Sequence, residues 1–204
     1  GPPAALLHAR RHASTLLEAD KIEEAFSTSL RLERDWNMLD EETQDILLIL
    51  GEMLASTSAS MLERIADTKV SVALGKLERI GWLARDPSTP RARWSLPGLF
   101  KQFAEKQVAP ARLQRAVERR ADALLSHLNG ALEALRTRDQ PEALLTLTHH
   151  EVDMLDILDW GLEHRTEETL MLVAKMRSFY TISHNGHFYL PLLERAMTIA
   201  REQE

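Results

Sequence analysis

Lys69, Lys76 and Arg79 lie seven and three residues apart in "KVSVALGKLERI", a spacing that lines their charges along one side of a helix with Val72 among them. Arg91 and Arg93 follow in "RARW", just after the turn-rich "PSTP". Cations set out in this way suit the gripping of phosphates along a nucleic-acid backbone. Against that chemistry, Glu78 stands beside the stripe, and residues 36–106 hold nine Lys/Arg and ten Asp/Glu. The plainer reading is a solvated or interdomain face. A second cluster, "HHEVD", places His149 and Asp153 one helical turn apart with Glu151 nearby. That begins a metal set, but no third ligand with suitable spacing follows, so helix packing is the expected role. His184 and His187 flank Asn185-Gly186 and fit a helix-to-helix turn. No nucleophile has a base at a fitting spacing and no carboxylate pair marks a cleft, so no catalysis is expected of this chain.

The elements that position these residues are mostly helical. The chain has 204 residues, 44 % of them apolar, which is enough for real cores. Its net charge of −6 supplies no general attraction for nucleic acid or an anionic membrane, so any DNA contact would be local. No cysteine is present, which excludes disulfides and sulfur-ligated zinc and fits a reducing cytosol. No apolar run approaches the about 18 residues that a membrane helix requires, and no signal pattern opens the chain, so a cytoplasmic location is expected.

Pro2 and Pro3 open a first helix over Ala4 to Leu17, and Ile22 to Leu32 forms a second. Asp40 begins the next, with acids in its first turn and Ile46, Leu47, Ile49, Leu50 and Leu54 as its buried face. "STSASMLERIAD" supplies a short helix with serine caps. Lys69 to Ile80 follows, its stripe of Val70, Leu74, Leu77 and Ile80 turned to the core. "WLARD" and "ARWSL" alternate as two strands around "PSTP". Three helices and a hairpin in this order make a winged helix. "LPGLFKQFAEKQV" then restarts helix, and four antiparallel helices complete the chain: Ala111 to Arg138 with a weak point at Gly130, Pro141 to Glu163, Thr166 to His184 and Phe188 to Arg201. Trp82, Trp94 and Trp160 fall on core faces. In the last helix Tyr189, Leu190, Leu193, Ala196, Met197 and Ala200 form a stripe that wants a partner on each side, so the chain reads as a fragment of a longer protein, and a homodimer through that stripe is an open alternative.

Six stretches, in order, resemble the STAND class of signal-transduction ATPases, the NB-ARC or apoptotic-ATPase-like family. "GPPAALLHARR" is similar to its Gly-x-Pro motif and the helix after it, and "LDEETQDILLIL" to the first winged-helix segment. "ALGKLERIGWLARD" resembles its Leu-x-x-Leu helix and strand, and "RWSLPGLFKQFA" the segment after the wing, with Trp94, Leu96, Phe103 and Ala104 in place. "HHEVDMLDILDW" is similar to the later helical stretch through Asp153, Met154, Leu158 and Trp160, and "FYTISHNGHFYLPLLERAM" to the start of the repeats.

The resemblance implies three regions: residues 1–35 as the remnant of a small helical (ARC-like) domain, 36–108 as the winged helix and 109–204 as a TPR-like helical array. The fold class is thus mainly α, with one small hairpin. The resemblance also implies a regulatory fragment without catalysis of its own, acting as an interdomain lever and a base for sensing partners or ligands. ADP or ATP would belong to an upstream nucleotide-binding domain of the same chain, since no P-loop occurs here. Pro3 matches the proline that packs on adenine, unless Gly1-Pro2 is a tag scar. Where many relatives place a phosphate-binding histidine, Leu96-Pro97-Gly98 stands instead, and Pro97 has no such bond to donate. A DNA-binding winged-helix regulator with a helical dimerisation or ligand domain is the rival reading.

Overall fold

The computed structural model describes residues 27–87, 92–183 and 186–202. The chain divides into two compact units, Gly1–Gln44 and Asp45–Glu204. In the described part of the first, helix α1 covers residues 27–37. Asp35 is buried there and paired with Arg31 at 3.6 Å and Arg34 at 3.4 Å. Asp40 opens α2 (Glu41–Glu52) by accepting the Thr43 amide at 2.9 Å, satisfying one of the N–H groups that a helix start leaves free. The helix expected over residues 4–17 lies outside the described residues, and of the one expected over Ile22 to Leu32 residues 27–32 are described and helical.

The second unit is mainly helical, with one small antiparallel sheet. Ile46 to Leu50 are all buried, so the middle of α2 is apolar all round where the sequence suggests one face. Leu54 lies past the end of the helix and is 57 % exposed, contrary to its expected place on the buried face. Strand β1 (Thr57–Ser58) leads into α3 (Ala59–Ala66), where Ser58 Oγ accepts the Met61 amide as the expected serine cap. Asp67, in the left-handed region at φ 54°, ends α3. α4 (Ser71–Arg79) buries Ala73, Leu74 and Leu77.

Its exit depends on Gly81 at φ 77°, a conformation that costs a side-chain-bearing residue energy. The Trp82 amide there donates back to Leu77 O at 3.0 Å, which turns the chain and sends Trp82 into the core. Trp82 stacks on Phe100 at 5.1 Å and meets the edge of Phe103 at 5.9 Å. Strands β2 (Ala84–Arg85) and β3 (Arg93–Ser95) complete the sheet in the order β1-β3-β2, with Thr57 opposite Trp94 and Ala84 opposite Ser95. α5 (Gly98–Gln107) follows Pro97.

The remaining helices are α6 (Pro110–Ala134), α7 (Gln140–His149), α8 (Glu151–His164), α9 (Thr166–Ser183) and α10 (Leu190–Glu202), with a 3-10 turn at Gly186–Phe188. α6 packs on α3, α7, α8 and α9, so it is the spine that joins the sheet-bearing part to the bundle. It runs unbroken through Gly130, where the sequence suggests a weak point. The single helix expected from Pro141 to Glu163 is two helices, divided at a buried His150 with φ −114° and ψ 11°. Trp94 and Trp160 are half-exposed, not core: the Trp94 indole donates to Glu78 at 2.6 Å, and Trp160 stacks on His164 at 4.3 Å. On α10, Leu192 and Ala196 are buried while Leu190 and Met197 are exposed. No helix among the described residues is long and apolar enough to cross a membrane.

Candidate functional site

The basic residues of α4 do not come together as one cationic surface. Lys69 lies just before the helix with its side chain 88 % exposed, paired with Glu63 of α3 at 3.6 Å. Lys76 is half-buried and already engaged within the protein, while Arg79 and Val72 are exposed. Glu78 reaches across to Trp94, so a carboxylate lies between α4 and β3 on this side. Arg93 turns away from any ligand: its Nε donates to Ser56 O at 3.0 Å and its second amino group bonds the same carbonyl. Ser56 Oγ in turn contacts Asp86 at 2.7 Å, so Arg93, Ser56 and Asp86 fasten the chain before β1 to the hairpin. Arg91 and Pro3 lie outside the described residues. Of the five basic residues singled out by their spacing, only Arg79 is described as an exposed cation without an ion pair.

The polar constellation that the structure does assemble lies between α6, α8 and the α2–β1 connection. Asp153, in the first turn of α8, is fully buried and accepts the Leu54 amide at 2.7 Å. Arg120, at the middle of α6, is buried and donates to Asp156 at 2.7 Å and, more weakly, to Asp153 at 3.5 Å. Asp153 and Asp156 are three residues apart, so one helix face brings two carboxylates to one guanidinium. Burial raises the Asp153 pKa, opposed by the Leu54 and Ala55 amides and by Arg120; burial is the larger effect. The sequence carries a signal for this pair: Arg120 interrupts an α6 stripe of Ala116, Ala121 and Leu124, where a charge requires a buried partner. The spacing reading of "HHEVD" assigns Asp153 no such partner. Among the described residues no group of three or more His, Asp or Glu is arranged to hold a metal ion.

Beside this pair, His150 meets His127 of α6 edge to face at 5.8 Å. Burial, then the charges of Arg93, His127 and His149, hold the His150 pKa down to about 4. Burial and Arg64 lower that of His127. Both imidazoles are neutral in the folded chain at pH 7, and an unfolded histidine takes up its proton near pH 6.5. Between pH 6.5 and about 4 the unfolded state therefore binds protons that the folded state refuses, and stability falls as pH falls through that window. Asp153, with a raised pKa, opposes this trend in acid. Urea unfolding at pH 7 and pH 4.5 should show a loss of roughly 1–2 kcal/mol, with the smaller pH dependence in His150→Leu. Identical pH dependence in the variant would contradict it.

No family model, no curated protein and no solved structure matches this chain.

Proposed function

We propose that residues 45–202 act as a stiff lever in a nucleotide-switched signal-transduction ATPase of the STAND class. The sheet-bearing part serves as its winged helix, and the helices after it as the base of an array that senses a partner or ligand. The observation that carries the reading is the Asp153 carboxylate, which holds the connection after α2 to the first turn of α8. A lever transmits motion only if no soft joint lies between its ends, and this bond sits where a joint would otherwise be. The sheet order β1-β3-β2, with α2, α3 and α4 arranged before the hairpin, supports the winged-helix assignment. Such a body would move as a unit when a neighbouring domain changes state.

In this reading the nucleotide belongs to a neighbouring domain, which two features of the described residues support. These residues contain no glycine-rich phosphate loop, and Pro97 offers no N–H at the start of α5. ADP or ATP would thus be held in an upstream domain, and a P-loop is expected in the reading frame before this chain. Exposed Val72 and Arg79 favour the rival, a DNA-reading α4. Fluorescence anisotropy with a labelled duplex at low and at physiological salt separates the two. The lever reading expects no saturation below about 10 μM protein at physiological salt, weaker than the specific binding of a DNA reader. Tighter, steeply salt-dependent binding that is lost when Lys69, Lys76 and Arg79 become alanine would overturn it.

A further inference from the structure

A groove of about 340 Å³ opens where α3, α6 and the start of α7 meet. That volume is at the small end of the range for small-molecule sites. Its floor is bare because α6 offers Gly130, Ala131 and Ala134 and α7 offers Ala143, none with more than one side-chain carbon. Gly130 is the informative floor residue. It lies inside α6, where glycine costs about 1 kcal/mol relative to alanine. Apart from its chain neighbours and the backbone of its own helix, nothing lies within 4 Å of the position that its Cβ would take, so no close approach of another chain segment requires glycine there. The missing side chain leaves the groove open.

The polar groups around this floor lack partners of their own. Arg64, on the α3 side, makes no ion pair among the described residues, although nine other arginine and lysine residues do. His127 packs on His150 but forms no hydrogen bond through its ring nitrogens. At the start of α7, Asp139 and Glu142 also line the groove, with no cation paired to either carboxylate among the described residues. Thr146 also lines it with an unbonded hydroxyl, whereas Thr137, Thr148, Thr166, Thr181 and Thr198 each bond a carbonyl of their own helix or turn.

A simple anion drawn to Arg64 would face two carboxylates, and a simple cation drawn to those carboxylates would face Arg64. Only a molecule with both charges satisfies the two sides. With His127 neutral, the lining carries one positive and two negative charges, so a ligand of net charge +1 balances it. We infer that this groove is a binding site for a basic amino acid, its carboxylate on Arg64 and its distal cation between Asp139 and Glu142. The guanidinium would hold the carboxylate through two parallel bonds. The site stands independently of the lever reading, since it needs no upstream domain.

The test is NMR and calorimetric titration of the whole chain with L-arginine and L-lysine, with acetate and ethylammonium as singly charged controls. Saturable binding of the basic amino acids with a Kd of about 0.1–1 mM is expected, with shifts centred on His127 and Thr146 and at least tenfold weaker binding of both controls. Arg64→Ala should weaken binding at least tenfold. Gly130→Leu should do the same by filling the groove, while its melting temperature stays level or rises because the helix loses its glycine. The absence of saturation by either amino acid at about 10 mM would overturn the proposal. So would equal binding of acetate, or full affinity in Gly130→Leu.

Discussion

Replacing Asp153 by alanine should destabilise the chain by about 3–5 kcal/mol, the cost of stripping a partner from a buried charge. Arg120 stays buried in the variant, with Asp156 as its remaining partner and its Nε already without one. The Leu54 amide loses its acceptor as well, which adds to the loss. Asp153→Asn should lose less, because the amide oxygen can still accept from Leu54. The double variant Asp153→Leu with Arg120→Met removes both charges together and should recover most of the loss while leaving the Leu54 amide unbonded. Urea unfolding followed by circular dichroism checks all three. A loss below about 1 kcal/mol in Asp153→Ala would mean that the pair is a surface-like contact with no structural role.

Gly161→Ala should cost about 2–3 kcal/mol, although alanine is the better helix former. A Cβ at residue 161 would lie 2.4 Å from Thr169 Oγ1, 3.1 Å from its Cγ2 and 3.3 Å from its Cβ. Thr169 cannot swing clear: it is fully buried, branched at Cβ, and its hydroxyl is bonded to Arg165 O at 2.8 Å. The added methyl must therefore push α8 and α9 apart where Gly161 meets Thr169. Thr169→Ala removes the two nearest atoms, so the double variant should be more stable than Gly161→Ala alone. A coupling energy of about 1 kcal/mol or more in the double-mutant cycle is expected. Simple additivity of the two changes would contradict the close approach.

What the sequence discloses follows from how local each cause is. Ser58 as a cap and the Val70, Leu74 and Leu77 stripe depend on residues within one or two turns, and they are readable from spacing alone. The same holds for the start of α9 at Thr166, which follows a polar stretch of sequence. The division at His150 is different. Neither proline nor glycine marks it, and the buried ring packed on His127 occupies the junction between the two helices. Arg93 reads from its neighbours as a surface cation, yet its acceptor, Ser56, lies 37 residues away. Trp94 and Trp160 follow apolar spacing but have a polar or charged partner on one side, and each stays partly exposed. The resemblance to STAND proteins rests largely on core spacing, and of the residues carried by it Met154 and Leu158 are buried while Asp153 holds the buried polar contact.

The stiffness of the proposed lever is open to one direct measurement, native-state amide hydrogen exchange on the chain across a low range of denaturant. The Leu54 amide should exchange only through the same cooperative opening that releases the buried centres of α2, α6 and α8, with one free energy and one denaturant dependence for all of them. Early, separate exchange of Leu54 together with α2 to α5, while α6 to α9 remain protected, would show two bodies with a joint between them and would contradict the lever.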